Sequence, residues 1–212
     1  MARADMGTKQ RILEVARQVF AERGVKEATV REICRRAGAN VAAVNYHFGG
    51  KDRLFMAVLA DHMSTAQQRY PELLGLTPQA PPRDRLLAYI RSLLHKFLGD
   101  GDPLHEKLGA LLTSEFLSPS EHFDALMDRF VTPQHQVLVG IVRELMPGAS
   151  DRAAHLCAAG VVGYCLLFDQ MRQVIRRMQP QLSLENLGVE PLAVFIGEFC
   201  LAGMERMRTL EA

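Results

Sequence analysis

Apolar residues recur at three- and four-residue intervals along nearly the whole chain, and nowhere does the strict alternation of a half-buried strand replace them. The expected fold class is therefore all-α. Near the start, Ile12, Val15, Ala16, Val19 and Phe20 form one stripe, and the helix that carries them ends at Gly24. A shorter amphipathic run of Val30, Ile33, Cys34 and Ala37 follows. Thr29 and Glu32 stand before it in the S/T-x-x-E arrangement that caps a helix start, and Gly38 closes it with the left-handed backbone that glycine adopts without penalty. Asn40 then caps a third helix from Val41, with Val44 and Phe48 turned inward. Two short helices so closely joined must cross, and the first stripe covers both. The result is a small three-helix domain of helix-turn-helix type.

Longer helices follow. The fourth runs from about Lys51 to Tyr70 with Leu54, Phe55, Val58 and Leu59 on one side, placed to connect this domain to a body. The segment Pro71 to Pro82 interrupts the pattern, and a fifth helix presents Leu86, Ile90, Leu93, Leu94 and Phe97. After a turn at Gly99 to Asp102, a sixth starts at Pro103 with Leu104, Leu108, Leu111 and Leu112, and Glu115 falls on the same stripe. Ser118, Pro119 and Glu121 read as a capping box that opens a seventh helix, kinked at Pro133 and ending near Pro147-Gly148. Ser150 caps an eighth, in which Cys157, Val161, Tyr164, Phe168, Met171 and Ile175 line one face while small and apolar residues cover much of the rest. A ninth, from about Pro191, repeats Leu192, Phe195, Ile196, Phe199, Gly203 and Met207. These last two are apolar around more of their circumference than one chain covers, so a homodimer joined through a four-helix contact is expected; the alternative is the core of a monomer. The domain reading is residues 1–55 for the helix-turn-helix domain and 56–212 for a helical effector-binding and dimerisation domain.

The third helix carries the chemistry. A helix in the major groove needs a side chain that pairs with a base edge, and the Asn45 amide can engage adenine, while the methyls of Ala42 and Ala43 can meet thymine methyls. Tyr46, His47 and Lys51 add hydrogen-bond donors. Lys51 opens the next helix, where the macrodipole disfavours a cation; its placement is explained if a nearby phosphate offsets that cost, the alternative being that Asp52 offsets part of it instead.

These residues resemble the TetR family of bacterial transcription regulators. The resemblance covers Thr8 to about Leu59 and rests on the amphipathic first helix, the capped second, the run Asn45-Tyr46-His47-Phe48-Gly49-Gly50-Lys51 and Leu54-Phe55. It implies that Thr29, Tyr46, His47 and Lys51 hold phosphates of double-stranded operator DNA, and that Val41, Ala42, Ala43 and Asn45 face bases. It also implies a repressor whose body takes an unknown small-molecule effector that moves the fourth helix. The segments Ser114 to Ser120 and Gly163 to Phe168 further resemble a CecR-like subgroup. Glu115, His122, His155, Tyr164, Phe168 and Asp169 are the candidate ligand contacts, each with an interhelix structural role as an equal reading.

Charge supports the division. Residues 1–60 hold 11 Lys and Arg against 6 Asp and Glu, net +5, and the remainder holds 14 against 18, net −4, so a near-neutral chain conceals a basic head on a mildly acidic body. Enzyme signatures are missing: no H-E-x-x-H, phosphate-cradling glycine loop or G-x-S-x-G occurs, and no cofactor or metal is expected. Cys34, Cys157, Cys165 and Cys200 form no C-x-x-C pair and read as buried, reduced thiols. The start of the chain is polar, without a signal peptide. The longest apolar run, Leu156 to Phe168, has 13 residues, against the roughly 18 that a bilayer requires; no membrane partner and a cytoplasmic location are expected. Two other readings stay open: a metal- or thiol-sensing regulator of the same architecture, and a helical interaction protein without DNA binding.

Overall fold

The computed structural model describes residues 2–98, 101–182 and 184–211, and no strand occurs among them. The helices are α1 (Ala2–Glu27), α2 (Val30–Ala37), α3 (Val41–Phe48), α4 (Lys51–Arg69), α5 (Pro82–Leu98), α6 (Pro103–Leu117), α7 (Asp124–Leu126), α8 (Thr132–Leu145), α9 (Asp151–Gln170), α10 (Arg172–Met178), α11 (Leu184–Leu187) and α12 (Val189–Glu211). A π-helical turn covers Met127–Val131. By packing, the chain divides into two units: residues 1–65 with 101–130, and residues 66–100 with 131–212. Of the turn expected at Gly99 to Asp102, Gly99 and Asp100 lie outside the described residues.

In the first unit, Ile12, Ala16, Val19 and Phe20 of α1 are fully buried with Ile33, Val44, Leu54, Val58 and Leu59, so the stripe closes over α2, α3 and α4 as the spacing requires. The core does not stop there. Leu108 and Leu112 of α6, with Phe123, Leu126 and Phe130, complete the same cluster. Salt bridges tie the frame at its surface: Arg17 to Asp61 at 2.8 Å joins α1 to α4, while Glu32 of α2 receives Arg23 at 3.0 Å and Arg36 at 2.7 Å.

The second unit packs α5, α8, α9 and α12 around Leu86, Ile90, Leu94, Leu138, Ile141, Val142, Ala158, Val161 and Ile196. Helix α9 is long and apolar enough, by length and composition, to cross a membrane, yet Ala153, Ala154, Ala158, Val161 and Cys165 belong to this core.

Three expectations need correction. The seventh helix does not start at the Ser118 box. Ser118 instead ends α6, its N–H donating to the Ser114 carbonyl at 3.0 Å, and regular helix resumes only at Asp124. The π turn then widens the backbone immediately before Pro133, whose ring cannot accommodate the carbonyl four residues earlier. The eighth helix is broken rather than continuous to Ile175: Met171 (φ −92°, ψ 8°) separates α9 from α10. The apolar positions of α12 fall on two faces: Leu192 and Ile196 are buried, and Phe195 and Phe199 are 56% and 52% exposed in the single chain. Finally, Cys34 and Cys165 are buried thiols as read, whereas Cys157 and Cys200 are only partly covered.

Candidate nucleic-acid interface

Local hydrogen bonds shape the candidate interface. The Thr29 hydroxyl accepts the Glu32 N–H at 3.2 Å, and Gly38 takes φ 60°, ψ 39° at the end of α2. Two residues later the Asn40 carboxamide oxygen accepts the Ala43 N–H at 2.8 Å. Helix α3 is thus capped within three residues of the end of α2. Its own end is set by Gly49 (φ 80°), whose N–H donates to the Asn45 carbonyl at 2.9 Å. A Cβ there would stand 3.1 Å from the Arg53 side chain, which would have to give by a few tenths of an ångström, and the left-handed backbone is what favours glycine.

Val44 alone is fully buried on α3, and it points the opposite face outward. On that face Val41, Ala42 and Asn45 are exposed, and Tyr46 is the most open large residue at 78%. The Asn45 side chain makes no hydrogen bond among the described residues, which leaves its amide for an external partner. Ala43 is half-buried against the core, so of the two alanines Ala42 is the outward one. The half-buried His47 ring contacts Tyr46 edge-on at 5.0 Å, and Phe48 packs partly against the core with Lys9 Nζ 5.8 Å from its ring centre. Lys51 opens α4, and its ammonium reaches the Lys26 carbonyl at 3.4 Å. Thr29, exposed at the start of α2, completes the set. Lys9 and Arg53 flank α3 as well, and no spacing rule singled them out: Lys9 reaches Phe48 only through folding, and Arg53 is recognisable only by its position over Gly49.

The six candidate ligand contacts are not brought to one point. Glu115 is buried in the first unit, where its carboxylate accepts the Ser120 N–H at 2.7 Å. His122, in the same unit, is half-buried beside Glu121. The other four lie along α9. His155 is exposed and meets His135 of α8 at 3.2 Å; Tyr164 packs on Phe199 at 5.0 Å between ring centres; Phe168 borders the core; Asp169 receives Arg172 at 3.4 Å. His155 and Asp169 are separated by about 21 Å of helix. No group of three metal-ligating side chains occurs among the described residues. Burial pushes the Cys165 thiol up to about 12 and Cys200 to about 11, so neither supplies much thiolate near neutral pH.

Residues 82–204 match the family of the C-terminal domain of the HTH-type transcriptional dual regulator CecR, and residues 12–58 match the tetR family of bacterial regulatory proteins. The chain belongs to the TetR family. It is a DNA-binding transcriptional regulator with a CecR-type body. It is 28% identical to CecR of Shigella flexneri over 79% of this chain and 78% of that one. With the repressor Rv3405c of Mycobacterium tuberculosis it shares 35% identity over 56% of its own length and 58% of the relative's. Among solved structures, AibR in complex with isovaleryl coenzyme A and operator DNA superposes with a TM-score of 0.62 at 18% identity, over 91% of this chain and 97% of AibR. That likeness establishes the fold.

Proposed function

We propose that this protein is a homodimeric repressor released from its operator by a small molecule. The observation that carries the reading is α3: a short helix capped by Asn40, ended by Gly49 and anchored by Val44, whose outward face is Val41, Ala42, Asn45 and Tyr46. In this reading Val41, Ala42, Ala43 and Asn45 address bases, while Thr29, Tyr46, His47 and Lys51 hold phosphates. Residues 1–55 act as the reading head and 56–212 as the effector-binding and dimerising body, joined by α4.

Dimerisation is supported by the surface that α9 and α12 leave open. Leu156, Leu167, Val194, Phe195, Phe199 and Met207 are all exposed, and Ala159, Gly160 and Gly163 permit close approach of a second backbone. Effector control is supported by AibR, where one such fold holds both operator DNA and an acyl thioester. An effector that binds better to the form with wrongly spaced heads shifts the population off the operator. Of the candidate contacts, Tyr164, Phe168 and Asp169 lie within two turns of α9 in the second unit and are its proposed contacts, and repression rather than activation follows the named repressors among the relatives.

Selection of genomic fragments by the purified protein, followed by gel-shift titration, tests the reading. Enrichment of a two-fold symmetric site, bound about 10³-fold or more tighter than random DNA, is expected. Failure to bind any duplex at low ionic strength would overturn it.

A further inference from the structure

An ion pair largely withdrawn from water brings little stability over a well-packed apolar pair, so its presence asks for another reason. Lys96 and Glu72 form such a pair in the second unit, with side chains only 10% and 19% exposed and Nζ 3.5 Å from Oε1. Lys96 also reaches the Gln134 side-chain oxygen at 3.3 Å, and the Gln67 amide donates to Glu72 at 3.2 Å. A buried cation and an amide donor therefore converge on one carboxylate. Burial lowers the Lys96 ammonium from its ordinary value, and the Glu72 charge works against that shift.

The carboxylate belongs to an exposed turn with one left-handed non-glycine residue. Glu72 lies in the turn after α4, where Pro71, Leu74, Gly75 and Leu76 are exposed. Leu74 has φ 47°, the one left-handed non-glycine among the described residues, a conformation that costs a branched side chain energy in the closed turn. The turn is joined directly to the end of α4, where the Tyr70 carbonyl accepts the Ser92 hydroxyl at 2.8 Å and the Tyr70 ring stacks on His95 at 4.7 Å. Apolar Leu73 and Phe97 border the core on either side.

We propose that Glu72 is an internal stand-in for the effector's acid group: a small carboxylate with an apolar tail binds Lys96 in its place, frees the strained turn and so releases the end of α4. The assignment rests on the ligand-responsive reading above and names the chemical class it leaves open. What the site already holds is a carboxylate, so a carboxylate is what it fits.

Isothermal titration of the full-length protein with straight-chain carboxylates from acetate to dodecanoate, against alcohols of equal length, tests this. At least one carboxylate is expected to bind about tenfold or more tighter than its alcohol, the margin of one charge-assisted hydrogen bond. Lys96→Met removes that preference, whereas Glu72→Gln, which removes the competitor, strengthens carboxylate binding by about tenfold. Should Lys96→Met fail to fold, as judged by circular dichroism, the Glu72→Gln result decides. Equal binding of acids and alcohols, binding of neither, or carboxylate affinity unchanged in Glu72→Gln overturns the site. A parallel gel shift separates the two levels. Carboxylates that bind through Lys96 and leave the operator complex intact sink the ligand-responsive reading alone; release by neutral compounds that ignore Lys96 sinks the site alone.

Discussion

The roles proposed for Asn45 and Lys51 can be separated by titration. The Asn45 amide is exposed and unbonded, so replacing it alters nothing in the core of the head. Asn45→Ala is expected to cost about 1–3 kcal/mol on the selected site and to relax discrimination at one base pair, with random DNA unaffected. Lys51→Ala is expected to weaken all sequences alike and to reduce the slope of log affinity against log salt by about 1. Equal losses for Asn45→Ala on random DNA, or an unchanged slope for Lys51→Ala, would reverse these roles. Both positions were legible in the sequence because the signals that place them are local: Thr29, Asn40 and Gly49 act on backbone groups within four residues of themselves. His155 shows the opposite case. Its partner His135 is twenty positions away on another helix, and nothing in the spacing announces that the two rings meet.

Helices were legible where one stripe had one partner, and less so where two readings of a short motif competed. Ser118-Pro119-Ser120-Glu121 has the composition of a helix start, but Ser118 continues the hydrogen bonding of α6 and the Glu115 carboxylate, five residues back, takes the Ser120 N–H. The side chain that decides the outcome lies outside the motif. The contribution of α6 to the head core was likewise hidden, because an amphipathic stripe states that it is buried without stating against what. One consequence can be measured. His62 of α4 is buried against His105 of α6, with ring centres 4.5 Å apart, and its pKa falls to about 4. Burial is the main cause; the neighbouring His105 and Arg17 lower it further and Asp102 opposes them. Since the unfolded chain binds this proton at about pH 6.5, the stability tied to neutral His62 is complete above that pH and is lost as the pH falls toward 4, by up to about 3 kcal/mol. Urea unfolding between pH 7 and 4 should show this decline, and His62→Leu should flatten it. A decline of the same size in the variant would assign the effect elsewhere.

At the scale of the whole molecule, the exposed apolar side of α9 and α12 is the feature that one chain leaves unresolved. Phe195 and Phe199 lie 6.2 Å apart between ring centres, Tyr164 packs edge-on against Phe199, and Leu156, Leu167, Val194 and Met207 extend the surface. A face of this kind, left in water, invites association. The sequence stated its apolarity plainly, though it could not divide Leu192 and Ile196, which face the core of their own chain, from Phe195 and Phe199, which do not. The division makes a clean test possible. Because Phe199 is more than half exposed in one protomer, Phe199→Asp leaves the core of the second unit in place while setting a charge in any interface built on this face. In ultracentrifugation the unaltered protein is expected at twice 23.6 kDa and the variant at 23.6 kDa. Operator affinity should fall with it, by about 10²–10⁴-fold, because a lone head loses the effective concentration that its tethered twin provides. Binding to a single half-site, which needs only one head, should stay unchanged. A variant that remains dimeric places the contact on another surface; one that becomes monomeric yet holds the full operator at undiminished affinity removes the need for paired heads altogether.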